Sequence, residues 1–140
     1  AFLERAYTPI FEERFNPKLL SATHSNYIIR RVSLQLLSTL LLTRSNYNVM
    51  MRYISNRSNL ITIMVLLRDA SAHITFDAFN VFKVFVANPN KPPEVVRILA
   101  DNKVKLAKYL AGLHRDKEAN DEQFRDEKAL VISTLEALES

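Results

Sequence analysis

The sequence predicts an all-α fold, and three features support that class. Gly112 is the single glycine among 140 residues, whereas a sheet sandwich needs many glycine- and proline-rich turns. Leucine, alanine, arginine and lysine, which favour helices, are common in the chain. Helix-capping residues precede one apolar-periodic run after another. With 48% hydrophobic residues, a chain of this length can bury the core of one domain.

The predicted helices begin at capping residues. A Ser, Asn or Asp oxygen accepts hydrogen bonds from the free N–H groups of a first helical turn, and proline fits a helix start because it has no N–H to lose. The start signals are Ser25-Asn26, Ser45-Asn46, Ser58-Asn59, Ser71, Pro92-Pro93 and Asn120-Asp121. We therefore expect helices near 2–14, 27–43, 46–55, 59–68, 73–87, 93–100, 103–115 and 121–138.

The apolar positions also repeat over a longer distance. In chain order, Ile29, Leu34, Leu37, Leu40 and Leu41 correspond to Ile74, Phe79, Phe82, Phe85 and Val86. The spacing of about 45 residues is typical of armadillo and HEAT repeats. In each unit one long helix precedes two shorter helices. We therefore predict two successive three-helix repeats, 27–68 and 73–113, in a right-handed α-α superhelix.

The composition limits the compartment and the chemistry. The chain has no cysteine, which excludes disulfides and thiol nucleophiles and suits a reducing compartment. The longest apolar stretch is much shorter than the roughly 18 residues that span a bilayer. These features predict a cytoplasmic protein without a membrane segment. The first residues already look like the middle of a helix, so we expect a piece of a longer protein.

The charges are divided unevenly along the chain. Between Arg14 and Arg68 the sequence has no Asp or Glu, and most of its acids follow from Glu94 onwards. One interpretation is that solvated arginines keep a helical array soluble. The other is an acidic partner, because arginine makes bidentate contacts to carboxylates and phosphates. That partner is either a protein surface or a nucleic acid.

The residues of enzyme sites are missing or misplaced. A single glycine excludes phosphate-binding and dinucleotide-binding loops. Asp69, Ser71 and His73 are close in sequence, but we interpret them as residues at helix ends. His24, His73 and His114 lack metal-ligand spacing, and the acids between Asp116 and Glu127 lack the glycine of a calcium loop. We therefore predict no catalytic residues, no metal, no cofactor and no small-molecule substrate.

One segment carries a specific resemblance. The eleven residues from Val81 to Lys91, with Asn26-Tyr27, Tyr53-Ile54-Ser55, Leu66-Leu67-Arg68-Asp69 and the acidic run from Asp121 to Lys128, closely resemble the calcium-binding protein 39 family. This family is also called the mouse-protein-25 scaffolds. Its members are over twice as long as this chain, so the resemblance implies that residues 1–140 are the C-terminal part of an armadillo-like helical repeat domain.

The resemblance implies a non-catalytic scaffold that binds protein kinases. Family members bind Ste-twenty-related pseudokinases and germinal-centre kinases and stabilise their active conformation. The family's kinase-binding face matches Tyr27, Arg31, Arg44 and Tyr47 here, with Tyr47 in place of the usual phenylalanine. A lysine one turn beyond Arg31 is replaced by Gln35.

The resemblance also implies a second site, a pocket for a partner tail that ends in Trp-Glu-Phe. Met64 matches the family's methionine in that pocket. Asp101 replaces a lysine of the family and would repel the acidic tail. An alternative role for Asp101 is to cap a helix that begins near Asn102.

Two functions from different classes follow. The first is the kinase-binding scaffold, with no nucleic acid and no membrane as partner. The alternative is a helical-repeat module that binds nucleic acid through the arginine-rich half. The salt dependence of binding separates them, because phosphate contacts weaken steeply with salt.

Overall fold

The computed structural model describes residues 2–21 and 26–139, and within these residues every regular element is a helix. The predicted all-α class is therefore confirmed. The chain forms two compact units, and the division falls between Phe82 and Lys83. None of the described helices is long and apolar enough to cross a bilayer.

The first unit contains short helices before and after one long helix. Its elements are α1 (Phe2–Arg5), a π-helix (Thr8–Leu19), α2 (Tyr27–Leu42), a 3-10 turn (Arg44–Asn46), α3 (Tyr47–Ile54), α4 (Arg57–Leu66) and the beginning of α5 (Ala72–Ala87). In this unit one long helix, α2, precedes two shorter helices, as the repeat pattern predicts.

The second unit contains the end of α5 and four further helices. These are α6 (Pro93–Asp101), α7 (Lys103–Ala111), α8 (Arg115–Asn120) and α9 (Glu122–Glu136). After the long α5, two short helices follow again. The predicted helices near 93–100 and 121–138 are confirmed.

The N-terminal helix differs from the prediction. Residues 2–14 do not form one α-helix, because α1 ends at Arg5 and a π-helix follows, in which the Leu20 N–H donates to the Phe15 carbonyl at 2.8 Å. A helix closed by bonds to the fifth residue is wider, so side chains four apart stand nearly above one another. The rings of Tyr7, Phe11 and Phe15 stack in this way, with centroids 4.8 and 5.6 Å apart.

Several predicted helix starts are confirmed. Asn26 caps α2 by accepting from the Ile29 N–H at 2.9 Å, and Asp121 caps α9 by accepting from the Phe124 N–H at 3.1 Å. The Ser71 hydroxyl accepts from the Ile74 N–H at 3.4 Å, and α6 begins at Pro93. Ser25, the other half of the first signal, lies outside the described residues.

Helices begin near two further predicted starts, but the predicted capping bonds are not made there. The cap of α4 is Asn56, whose Oδ1 accepts from the Asn59 N–H at 3.1 Å, so Ser58 lies inside the helix. Asn46 occupies the cap position of α3 but makes no side-chain cap bond, and its Nδ2 donates to the Leu40 carbonyl at 2.9 Å. At α4 a neighbouring polar side chain, Asn56, makes the capping bond, whereas no side chain caps α3.

The helix predicted at 103–115 is also wrong at its end. Helix α7 stops at Ala111, Gly112 follows, and His114 adopts a left-handed conformation with φ of 50° before α8 begins. The turn is held by Lys128, whose ammonium donates to the carbonyls of Ala111 and Leu113. Gly112 is the local signal for this break, since glycine is common just past a helix end.

The periodic apolar positions are buried unequally. In α5 all five, Ile74, Phe79, Phe82, Phe85 and Val86, are buried. In α2, Leu34, Leu37 and Leu41 are buried, whereas Ile29 is exposed and Leu40 is half-buried. The two helices therefore have the same pattern in the sequence, but α2 leaves more apolar surface in contact with water.

Candidate protein-binding site

One side of α2 presents apolar and basic side chains together. Ile28, Val32 and Leu36 are exposed and follow one another at four-residue spacing, so they form a stripe along the helix. Tyr27, Arg31 and Gln35 are exposed beside this stripe. We call these six residues the α2 face. Exposed apolar surface bordered by polar groups is typical of protein-binding sites.

The α2 face includes the first two predicted kinase-face residues. Tyr27 is the first residue of α2, and Arg31 lies one turn later. The Ser71 hydroxyl donates to the Tyr27 hydroxyl at 3.2 Å, so the start of α5 holds the ring. An aromatic ring held in place next to an arginine combines two residue types that are common in binding hot spots.

The other two predicted residues line a pocket at the far end of α2. Arg44 belongs to the 3-10 turn and Tyr47 begins α3, and both side chains are exposed. With Leu41, Leu42 and Met50 they line a pocket of about 440 Å³. We call it the Arg44 pocket. Its apolar walls and single cation suit a side chain that combines an apolar part with a negative or acceptor group.

The four residues therefore form two patches and do not form one cluster. Arg31 and Arg44 are thirteen positions apart along α2 and the turn that follows, which corresponds to about 20 Å at 1.5 Å per residue. Tyr27 lies with Arg31, and Tyr47 lies with Arg44. A partner must extend along the length of α2 to contact both patches.

Two further residues next to the α2 face were not predicted from the sequence as part of a binding site. His73 and Asp77, on α5, lie near Arg31. Burial raises the pKa of the Asp77 carboxyl, while the positive charges of His73 and Arg31 lower it in part. The i, i+4 spacing of His73 and Asp77 shows that they share one side of α5, but no pattern in the sequence places that side near Arg31.

Part of the acid-free basic stretch is neutralised inside the first unit. The Arg30 guanidinium lies 3.6 Å from the Asp69 carboxylate, and that of Arg52 lies 3.8 Å from Glu12. Arg52 also stands 4.0 Å from the ring centroid of Tyr7. The basic surface is therefore less continuous than the sequence suggests, and Arg31 and Arg44 remain as exposed cations beside apolar side chains.

The two residues predicted for a tail pocket belong to different units. Met64 is half-buried on α4 in the first unit, between the exposed side chains of Ile61 and Val65. Asp101 is exposed at the last position of α6 in the second unit. The alternative role of Asp101 as a helix cap is wrong, because Asn102 occupies the cap position before α7 and makes no side-chain cap bond.

The residues considered for catalysis or metal binding take structural positions. Asp69 accepts from the Ser71 N–H at 2.9 Å, Ser71 caps α5 and His73 is exposed, so these three make a helix start. His24 lies outside the described residues. Within 2–21 and 26–139, no group of three His, Asp or Glu side chains converges as metal ligands.

Comparisons with known proteins identify the family of the chain. A family model described as Mo25-like matches residues 1–139. The chain is 51% identical to the Mo25-like protein of Schizosaccharomyces pombe over 128 residues, which are 91% of this chain and 39% of the relative. It is 45% identical to the calcium-binding protein 39-like protein of Mus musculus over 137 residues, which are 98% of this chain and 39% of the relative.

The relatives are longer, and their names state no enzymatic activity. A third, the degreening-related gene dee76 protein of Auxenochlorella protothecoides, is 50% identical over 135 residues, which are 96% of this chain and 40% of the relative. The chain thus spans about two-fifths of the length of these relatives. The resemblance first seen between Val81 and Lys91 extends over nearly all residues, and the chain belongs to the Mo25-like family of helical repeat proteins.

Proposed function

We propose that this chain is part of a non-catalytic scaffold that binds a protein kinase or pseudokinase and stabilises its active conformation. Membership of the Mo25-like family supports the scaffold role. The observation that carries the proposal is the α2 face, where Ile28, Val32 and Leu36 are exposed together beside Tyr27 and Arg31. The Arg44 pocket supplies a second contact at the other end of the same helix.

The physical basis of activation is a difference in affinity. A scaffold that binds only the closed arrangement of a kinase shifts the population toward that arrangement. A partner that contacts both patches is held at two points about 20 Å apart. Two contacts at that distance can both form only when the partner's contacting elements are correctly placed relative to each other. A single pocket would not distinguish between conformations of the partner in this way.

Nucleic-acid binding is the alternative, and the local surroundings of the arginines favour protein. Phosphate recognition requires several accessible cations along a track. Arg30 and Arg52 form ion pairs with Asp69 and Glu12, whereas the exposed arginines of the two patches lie beside apolar side chains. Apolar surface next to arginine is typical of protein interfaces.

A pocket for a Trp-Glu-Phe tail that involves Met64 and Asp101 remains part of the proposal. Titration of a labelled peptide with that ending, followed by fluorescence anisotropy, tests it. Binding that is lost in Met64→Ala places the tail at α4. Binding only by Asp101→Lys means that the exposed carboxylate of Asp101 repels the tail and that the partners of this chain lack it.

The main experiment measures the affinity of the chain for a germinal-centre kinase domain by titration calorimetry, together with the rate at which that kinase phosphorylates a peptide. Arg31→Glu and Arg44→Glu are each expected to weaken binding by roughly tenfold or more, because a reversed charge beside apolar contact surface also repels an acidic partner. Both should reduce the stimulated kinase rate.

Arg14→Glu is the matched control, since Arg14 is exposed in the same unit but belongs to neither patch. It should bind the kinase as the native chain does. Equal weakening by all three variants would indicate non-specific electrostatic attraction. A steep loss of nucleic-acid affinity with salt, together with no kinase binding, would support the alternative function instead.

A further inference from the structure

A second concave surface lies in the second unit, in residues that the proposed kinase contacts do not use. It is a groove of about 590 Å³ between the C-terminal turn of α5, the loop that follows it and one side of α9. This volume is within the usual range for a bound ligand, roughly 300–1,000 Å³. The later half of the segment from Val81 to Lys91 forms one wall.

The opposite wall, on α9, includes an apolar side chain that is open to water. Leu130, on α9, lines the groove and is 66% exposed, next to the buried Val131. Val84 and Pro89 face it from the α5 side. A leucine exposed to this extent at the edge of a concave apolar surface is well placed to contact an apolar side chain of a partner.

The polar groups of the groove are mostly positive or hydrogen-bond donors. Lys83 and Glu127 form an ion pair of 2.6 Å, so these two charges balance each other. Lys91 has no carboxylate beside it in the groove, and its ammonium donates to the Asn88 carbonyl at 2.8 Å. Burial lowers the pKa of Lys91, which means that its charge lacks full solvation and would gain from an anionic neighbour.

Asn88 supplies a donor that finds no acceptor. Its side chain lines the groove and is 3% exposed. The orientation of the amide is set, because Oδ1 accepts from the Asn90 N–H at 2.9 Å. Its Nδ2 is buried and finds no hydrogen-bond partner among the described residues. A buried amide donor without an acceptor is costly, so a carbonyl from a bound ligand would stabilise this site.

We propose that this groove binds a short peptide segment of a partner protein in which a large apolar side chain lies next to a carboxylate. The apolar side chain packs on Leu130 and Val84, the carboxylate pairs with the Lys91 ammonium, and a backbone carbonyl accepts from Asn88. A peptide carries all three groups, namely an apolar side chain, a carboxylate and a backbone carbonyl. The proposal is independent of the kinase contacts on α2.

A random heptapeptide library displayed on phage provides the probe. Selection on the intact chain, after removal of phage that bind Leu130→Asp, should enrich sequences in which Asp or Glu adjoins Leu, Ile, Phe or Trp. Failure to enrich any sequence would overturn the proposal. Enrichment of sequences without an acidic residue would overturn it as well.

The enriched peptide is then labelled and titrated by fluorescence anisotropy. Leu130→Asp should weaken binding by roughly tenfold to a hundredfold through the loss of apolar contact. Lys91→Gln should weaken it by roughly tenfold through the loss of a charge-assisted bond. A peptide in which the acidic residue is replaced by its amide should bind the native chain and Lys91→Gln with nearly the same affinity.

Two control variants separate this groove from other surfaces. Val104→Asp, on α7 in the same unit, adds the same charge at a side chain that is 75% exposed and lies outside the groove, and it should bind the peptide normally. Arg44→Glu should also bind normally, so failure of the kinase proposal and failure of this one are distinguishable. Equal loss in Val104→Asp and Leu130→Asp would overturn the proposal.

Discussion

Lys128 shows how one residue can determine a turn. Its side chain is 3% exposed, and its ammonium donates to the carbonyls of Ala111 and Leu113 and to the Glu118 carboxylate. The last carbonyls of a helix have no partner within that helix. Lys128 supplies those partners from α9 and thereby connects the end of α7 to α8.

Replacing Lys128 by methionine should destabilise the protein strongly. The variant leaves two carbonyls without donors, and we expect the free energy of unfolding to fall by about 3 kcal/mol. Urea denaturation followed by circular dichroism measures this change. Lys105→Met, at an exposed position on α7, should stay within about 0.5 kcal/mol. Similar effects of the two substitutions would contradict the role of Lys128.

His114 makes stability depend on pH in the second unit. Burial, followed by the charges of Lys117 and Lys128, lowers the pKa of the imidazole below its ordinary value of 6.5. The unfolded chain therefore takes up a proton more readily than the folded chain as the pH falls below about 6.5. This contribution to stability is complete above that pH and is lost as the pH falls toward the folded-state pKa.

Thermal unfolding between pH 7.5 and 5 tests the role of His114. The melting temperature of the native chain should decrease over this range, and the decrease should be smaller in His114→Asn. Asparagine is a suitable replacement because it tolerates the left-handed backbone conformation found at this position. Glu118 and Asp121 have lowered pKa values, so their contribution is lost only at more acidic pH. An unchanged pH dependence in the variant would contradict the prediction.

At the scale of elements, helix boundaries depend on which polar side chain reaches the first turn. The sequence around the start of α4 contains Asn56, Ser58 and Asn59, and all three are residue types that can cap a helix. The structure selects Asn56 as the cap, while the buried Asn59 side chain donates to the Tyr53 carbonyl at 3.0 Å. Asn59 thus connects the end of α3 to the start of α4.

The choice between Asn56 and Ser58 can be measured directly. Asn56→Ala should lower the free energy of unfolding by about 1 kcal/mol through the loss of a helix cap. Ser58→Ala should change it by less than about 0.5 kcal/mol, because Ser58 is exposed within the helix. Thermal denaturation of both variants gives the comparison. The reverse order would mean that α4 begins later than Arg57.

The long helices α2 and α5 share one apolar sequence pattern but differ in how much of it is buried. Both carry the same apolar positions about 45 residues apart. Helix α5 is enclosed, with Phe79, Phe82 and Phe85 fully buried. Helix α2 leaves Ile28, Val32 and Leu36 exposed, which gives it the surface on which the proposed kinase contacts depend.

At the scale of the whole molecule, the net charge is concentrated in one unit. The sequence up to Phe82 has nine basic and five acidic residues, and the sequence from Lys83 has ten of each. The formal net charge of +4 therefore belongs to the first unit. A positive field around the α2 face attracts acidic partners over a distance set by the ionic strength.

This charge distribution predicts how kinase binding responds to salt. Between 50 and 300 mM NaCl the association rate should fall by roughly tenfold, while the dissociation rate should change little, because long-range charge mainly affects encounter. Surface plasmon resonance with the immobilised kinase domain measures both rates. A dissociation rate that rises as steeply as the association rate falls would indicate that charge pairs, and not apolar contact, hold the complex.

Most of the helices, the family resemblance and the charge asymmetry can be predicted from the sequence, because capping bonds, helical periods, short motifs and charge counts depend on residues close together in the chain. Asn26, Ser71, Pro93 and Asp121 mark helix starts in the sequence and in the structure. The segment from Val81 to Lys91 carries the family resemblance in the sequence, and the family model matches residues 1–139. These properties require no knowledge of which elements are neighbours.

Which side chains remain available for binding depends on the packing of elements that are distant in the sequence. Leu34 and Leu36 are both leucines and lie two positions apart, yet Leu34 is buried and Leu36 is exposed. The difference arises because neighbouring elements pack against one side of α2 and leave the other side exposed. The same holds for Lys128, whose acceptors include carbonyls of α7 and of the turn after it, and for Asn88, whose Nδ2 has no acceptor among the described residues. Burial and hydrogen-bond satisfaction depend on contacts between residues distant in sequence, so these features follow from packing and not from local pattern.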